Sequence, residues 1–295
     1  MICVATDVYF RAIKGNILLS LTQLGLIMNV IRRLALTVAT LTAMHLSTVI
    51  AAEVALPDLK GRTLIAVTEN AYPPLNFKDP KTGASVGWEY DVFNEIAKRL
   101  NAKVEWKLTS WDTMIEAVRK GQFDVGMDGI TIKADRKKQV DFSDAYMVSE
   151  QFMMVRVNEK RFVDAKSFNG NAKLLVGAQS GTSNFYTAVY EVLDGNEKNP
   201  RIKLYDTFGL SMQALKVGDV DTVLCDGVSS EGYVKAFPNT YKVVGKPMGR
   251  EEFGFIYKPG SDLVKPVNAA LKQMKADGSL KKLDQKWFVD YKLNQ

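Results

Sequence analysis

Two stretches of this 295-residue chain echo one another: MIEAVRKGQFDVGMDG at Met114–Gly129 and SMQALKVGDVDTVLCDG at Ser211–Gly227. Each begins as a helix-like run that closes on a glycine (Gly121, Gly218). An aspartate follows (Asp124, Asp221), then an apolar strand and an Asp-Gly pair. Open α/β sheets present ligand groups at the carboxyl ends of their strands. Two such strands, one in each half of the chain, predict two sheets offering polar groups to one cleft. Helix–glycine–strand is also a common α/β connection, so the echo alone leaves likeness and coincidence both open.

Outward from the first copy, Leu64–Thr68 reads as a buried strand, broken by a loop over Asn70–Pro74. Val92, Phe93, Ile96, Ala97 and Leu100 recur at helical spacing and predict a helix over 89–100. Val104, Trp106 and Leu108 alternate as a strand, followed by helix 112–120, strand 123–127 and strand 151–157. Around the second copy the pattern predicts strands 173–177, 201–205, 220–225 and 241–244, with helices 183–193, 208–217 and 228–236 between them. A strand at 253–257 and helices at 261–276 and 279–290 close the chain. Such alternation predicts parallel sheets flanked by helices, and two sheets of about five strands suit base rates better than one.

The N-terminus has another character. Ile31-Arg32-Arg33, an apolar run from Leu34 to Ile50 and Ala51-Ala52-Glu53 read as a secretory signal peptide over 28–52, cleaved after Ala51 or Ala52. The run is interrupted by Thr37, Thr40, Thr42 and His45 and sits at the bottom of the membrane-spanning range. Residues 1–27 lie upstream of that signal and read as an extension preceding the true start at Met28. After the signal no apolar run of about 20 residues follows.

Residue counts exclude whole classes of chemistry. The only histidine, His45, falls inside the signal, which rules out a Ser-His-Asp triad, a Cys-His pair and an H-E-x-x-H zinc site in the processed chain. One cysteine, Cys225, remains, so an internal disulfide and a cysteine-rich metal site are excluded too. Nothing in the sequence calls for a cofactor. The net charge is +6; removing residues 1–52 takes away four of 39 basic and one of 33 acidic residues, leaving +3. That is too mild for a nucleic-acid-binding face.

Eight motifs, taken in order, resemble one family. They are Gly87-Trp88-Glu89-Tyr90-Asp91-Val92, Ser110-Trp111-Asp112, Gly121-Gln122-Phe123-Asp124, the run Gly129 to Arg136, Val140-Asp141-Phe142-Ser143, Val176 to Thr182, Val220 to Asp226, and Ala276 to Leu280 with Lys286-Trp287-Phe288. Together they resemble family 3 solute-binding proteins, the periplasmic receptors of polar amino-acid ABC importers. The resemblance implies the two-lobed, type II periplasmic binding protein fold of the α/β class. Each lobe would be a mostly parallel sheet flanked by helices. Lobe 1 would hold 53–146 and 253–295, lobe 2 would hold 150–249, and two hinge strands would lie near 145–149 and 250–253. It also implies a monomeric periplasmic protein that delivers an amino acid to a membrane permease driven by a separate ATPase.

Carried over by position, the resemblance gives Arg136 the ligand carboxylate, a pairing that guanidinium geometry suits. Thr131 and the Gly129 backbone stand beside it. Asp226 matches the acid that binds the α-ammonium, and also reads as a turn residue before Gly227. Glu69 and Tyr72 match an acid and an aromatic in the first loop, and Trp111 matches an aromatic on the ligand side chain. Gln179, Thr182 and Ser183 sit where a strand meets a helix start, with Ser183 a candidate N-cap. Two departures stand out: Asp128 occupies a position where relatives often carry a small residue, and Glu69 replaces the commoner Asp. Three acids against one arginine lean toward a basic amino acid, with glutamine-like ligands close behind. The rival is an enzyme on the same fold, since cyclohexadienyl dehydratases resemble this family; only a cleft carboxyl such as Glu69 or Asp128 could then serve as general acid.

Overall fold

The computed structural model describes residues 55–292; the signal segment and the proposed start at Met28 lie outside the described residues. Two five-stranded sheets organise the chain, in the orders β5-β1-β6-β13-β7 and β10-β9-β11-β8-β12. In the first sheet β1 (Thr63–Thr68) lies parallel to both β5 (Lys103–Leu108) and β6 (Val125–Gly126). Strand β13 (Ile256–Tyr257) runs antiparallel to β6 and to β7 (Asp141–Phe142). In the second sheet β9 (Val176–Gln179) lies parallel to β10 (Ile202–Tyr205) and β11 (Thr222–Asp226). Strand β8 (Met147–Arg156) runs antiparallel to β11 and to β12 (Tyr241–Phe253). Residues from Leu56 onward form one compact unit.

The sheets are therefore mixed rather than mostly parallel. The helix-connected strands are the parallel ones. β8 and β12 run against them because they carry the chain from one sheet to the other and back. Period-2 alternation splits the second sheet's core between its faces: Met153, Val155 and Leu224 pack on one side, Met154, Val223 and Cys225 on the other. The first sheet is covered likewise, by Trp88, Phe93, Ile96 and the terminal Trp287 on one face and by Trp111, Met114 and Val118 on the other.

Local differences from the sequence reading have identifiable causes. The strand expected at 123–127 shortens to β6 because Asp124 turns inward, and the strand expected at 173–177 starts later, at Val176. Strand β12 is one 13-residue element where two shorter strands were expected, kept continuous across bulges that contain Gly245 and Gly249, both at positive φ. Helices expected over 183–193 and 279–290 each end in a π-helical turn, at Ala188–Val192 and Gln285–Asp290. The loop expected at 70–74 belongs to a small antiparallel sheet of β2 (Ala71–Tyr72), β3 (Asn76–Lys78) and β4 (Ser85–Val86).

The echoed stretches build the same joint twice. Helix α2 (Trp111–Arg119) and helix α6 (Phe208–Val217) both end at a left-handed glycine, Gly121 (φ 73°) and Gly218 (φ 96°). The aspartate that follows then satisfies the backbone of the neighbouring parallel strand. Asp124 Oδ2 accepts from Ile65 N at 2.8 Å while Oδ1 takes Arg62 at 3.1 Å. Asp221 Oδ2 accepts from Leu175 N at 2.8 Å while Oδ1 takes Arg156 at 3.1 Å and also Arg161. Asp221 is the more buried of the two and serves two arginines. Asp221→Ala is therefore expected to cost about 2–4 kcal/mol and Asp124→Ala about 1–2 kcal/mol, measured as the change in unfolding free energy in urea.

Candidate functional site

Four parallel strands end at one place. Glu69 follows β1, Asp128 and Gly129 follow β6, Gln179 closes β9 and Asp226 closes β11. Between them lies a cavity with about 420 Å³ of empty space. From the first sheet's side Tyr72, Trp111, Asp128, Gly129, Thr131 and Arg136 line it. Gln179, Thr182, Ser183, Asn184 and Phe208 face them from the second, and Glu251 and Phe253 of β12 close the wall.

Arg136 sits in the single turn Ala134–Lys137 and is 4% exposed. Its guanidinium donates to Thr131 O at 3.1 Å and to Gly181 O at 3.3 Å, and its Cζ lies 5.0 Å from the centre of the Trp111 ring. Among the described residues it makes no ion pair within 4 Å. Burial pulls its pKa down, and the charges of Asp135 and Glu251 push it up; an arginine nevertheless stays protonated in a protein. The site thus holds a buried cation whose own contacts are neutral carbonyls and a ring face. Beside it Thr131 Oγ1 and Ser183 Oγ bond across the cavity at 2.7 Å.

The predicted residues divide once the geometry is known. Tyr72, Trp111, Asp128, Gly129, Thr131, Arg136, Gln179, Thr182 and Ser183 all reach the cavity. Thr182, not Ser183, caps the helix that starts at Ser183, accepting from Phe185 N at 3.0 Å, which leaves the Ser183 hydroxyl for Thr131. The Gly129 N–H points away from the cavity and donates to Glu89 Oε1 at 3.0 Å. Glu69 and Asp226 are not among the lining residues. Glu69 accepts from Trp111 N at 3.2 Å and from Gln179 Nε2 at 2.9 Å, tying the two sides together. Asp226 is fully buried as the N-cap of helix α7 (Gly227–Ala236), taking Val228 N at 2.9 Å and Ser229 N at 3.1 Å on Oδ1. Its other oxygen accepts from the Tyr72 hydroxyl.

Sequence reasoning missed Asn184, Phe208, Phe253 and, above all, Glu251. Glu251 is 8% exposed and accepts from Gln151 Nε2 at 2.8 Å. The available signal was its period-2 spacing from buried Phe253, immediately after the bulge glycine Gly249. Glu89, quoted only as part of a motif, lies fully buried under Gly129, accepting from Tyr146 and, at 2.8 Å, from Asn76 Nδ2.

Five acids in and around the cavity hold their protons more tightly than usual. Burial is the main cause for Glu69, Glu89, Asp128, Asp226 and Glu251 alike, and the charges of Glu69 and Glu89 add to it for Asp128, which is pushed up strongly. Among the described residues no group of histidine, cysteine, aspartate and glutamate is placed to hold a metal ion.

Comparison with known proteins adds to this geometry. A sequence profile of the bacterial extracellular solute-binding proteins, family 3, matches residues 64–290, and the chain belongs to that family. The L-cystine-binding protein TcyJ of Escherichia coli (strain K12) is 32% identical over 228 residues, 77% of this chain and 82% of that protein. A solved ancestral arginine-binding protein bound to arginine superposes with a TM-score of 0.70 at 37% identity, covering 78% of this chain and 99% of that one. The ancestral amino acid-binding protein AncCDT-1, a precursor of cyclohexadienyl dehydratase, gives 0.69 at 35% identity over 77% and 95% of the two chains. The type II binding-protein fold of the α/β class is that of these relatives.

The raised acids set the pH dependence of the protein without ligand. A carboxyl whose folded pKa lies above its unfolded value binds more protons in the native state, so its contribution is full below the unfolded pKa and is lost as pH rises through the folded one. Acids held low, such as Asp79, Glu116, Glu159 and Asp277 at about 2, act oppositely but only at more acidic pH. The melting temperature without ligand is therefore expected to fall between about pH 5 and pH 8. Asp128→Asn, which removes one charge at nearly constant shape, is expected to flatten that slope in a thermal-shift series.

Proposed function

We propose that this family 3 protein is the extracytoplasmic receptor of an ABC importer for a cationic L-amino acid. One observation carries the reading: a single cavity holds one buried guanidinium without a carboxylate partner and two buried carboxylates, Asp128 and Glu251, without an ion pair of their own. A ligand with one carboxylate and two cationic groups complements that set. Arginine, lysine and ornithine meet it. Glutamine leaves one acid unmatched, and cystine brings a second carboxylate to a cavity with one arginine. Asp128, which holds a proton tightly, exchanges it for the ligand's distal cation, and Trp111, Tyr72 and Phe208 cover the aliphatic stem.

In the same reading the halves are lobes, 53–146 with 253–295 and 150–249, turning about strands near 145–149 and 250–253. The contacts Thr131–Ser183, Glu69–Gln179 and Tyr72–Asp226 are those of the closed clamp, and ligand shifts the population toward it. The protein acts as a monomer in the periplasm after its signal is cleaved, and hands its ligand to a permease powered by a separate ATPase. Binding and release suffice; no bond in the ligand is broken, and incubation with arogenate or prephenate is expected to give no turnover.

Micromolar affinity requires about −8 kcal/mol, within reach of charged hydrogen bonds at roughly 1.5–3 kcal/mol each. In a thermal-shift panel, arginine, lysine or ornithine is expected to stabilise by RT ln(1 + [L]/Kd), about 2.7 kcal/mol at 100 times Kd. Aspartate and glutamate are expected to have no effect. Stabilisation by cystine or glutamine with none by the basic amino acids overturns the cationic assignment. Arg136→Ala is expected to weaken binding about 100-fold or more, measured by titration calorimetry.

A further inference from the structure

We infer that Glu251, and not Asp226, receives the α-ammonium group of the ligand. The assignment rests on the reading of the cavity as an amino-acid site. In an α-amino acid the ammonium and the carboxylate share one carbon, so the acid that takes the first must stand close to the arginine that takes the second. Asp226 does not meet that requirement here. Its Oδ1 is committed to two backbone amides of helix α7 and its Oδ2 to Tyr72, whose ring lies edge-on to Phe208 at 4.8 Å between centres. Tyr72, which lines the cavity, thereby stands between it and Asp226.

Glu251 meets it. The loop that carries Thr131 and Arg136 is fastened to β12 by backbone bonds, Ile132 N to Glu252 O at 2.8 Å and Gly254 N to Ile130 O at 3.0 Å, with Thr131 bridged to Phe253. This fixes Glu251 beside the arginine's own loop. The register shift between Met248 and Glu251, with Gly249 at φ 66°, places Glu251 on the same face as Phe253, toward the cavity. Its partners are neutral donors: Gln151 Nε2, and the Ser183 hydroxyl that also bonds Thr131. A carboxylate has about four acceptor positions, so capacity for an ammonium remains. Glu251 is also the cavity acid whose field reaches Arg136. Asp128 sits instead among Thr68, Glu69 and Glu89, away from the arginine, where a distal cation fits.

The test compares L-arginine with 5-guanidinopentanoate, which is arginine without its α-ammonium, by titration calorimetry on the wild type, Glu251→Gln and Asp226→Asn. The wild type is expected to prefer L-arginine by about 10- to 100-fold. Glu251→Gln is expected to reduce that preference to about threefold or less while binding 5-guanidinopentanoate as well as the wild type does. Asp226→Asn is expected to lower the melting temperature, through its weakened cap, and to keep the preference. A preference retained in Glu251→Gln, or erased in Asp226→Asn, overturns the assignment. A wild type that binds neither compound overturns the cationic-ligand reading and this assignment with it, whereas wild-type binding with an unaltered Glu251→Gln overturns this assignment alone.

Discussion

A guanidinium taken out of water is stabilised in most proteins by a carboxylate beside it, because an unpaired buried charge is among the costliest features a fold can carry. Arg136 is 4% exposed and rests on two carbonyl oxygens and the Trp111 ring face. Each contact offsets part of the desolvation without neutralising the charge. The surrounding architecture serves to keep that cation unpaired. Asp226 is drawn off by a helix N-terminus and a tyrosine, Glu69 by an amide and a glutamine, and Glu89 by Gly129, Asn76 and Tyr146. A site whose own acids satisfied its arginine would have little left for the carboxylate of a zwitterion.

The two echoed stretches show how such a site is supported without symmetry in its chemistry. Asp124 and Asp221 perform one task twice, holding the amide of an adjacent strand and an arginine, so the strands that lead to Asp128 and Asp226 end at comparable positions in the two sheets. Beyond those ends the copies diverge. The first leads through Thr131 to the cation Arg136. The second ends in Asp226, which starts a helix and anchors Tyr72. Likeness resides in the joints, and difference resides at the ligand.

Much of this was legible in residue order, and the reasons are physical. Helix–glycine–strand spacing is local, so both sheets and the convergence of strand ends followed from it, and Arg136, Thr131 and Trp111 lay where their motifs pointed. What escaped depended on direction rather than on identity. Whether Asp226 faces a cavity or caps the following helix turns on which oxygen meets which amide, and the Asp-Gly pair is compatible with both. Glu251 escaped because two bulges separate it from the regular part of β12. A shift of one residue in a strand exchanges its faces, and no count along the sequence reveals the bulge. The antiparallel course of β8 and β12 likewise depends on where the chain crosses between sheets.

The polar bonds across the cavity also explain why neutral groups dominate its seam. Thr131 meets Ser183, Glu69 meets Gln179, and Asn184 reaches the Tyr72 hydroxyl at 3.4 Å. Each joins the two sides through a hydroxyl or an amide that water satisfies nearly as well once the sides part, so each contributes only about 0.5–1.5 kcal/mol net. Charged seams would hold the sides together with or without ligand. Because the seam is weak and the charges are kept inside, the free energy difference between joined and parted sides is governed by whatever complements Arg136, Asp128 and Glu251. A ligand can shift an equilibrium only by its differential affinity for the two states, and this arrangement reserves the largest differential for the ligand itself.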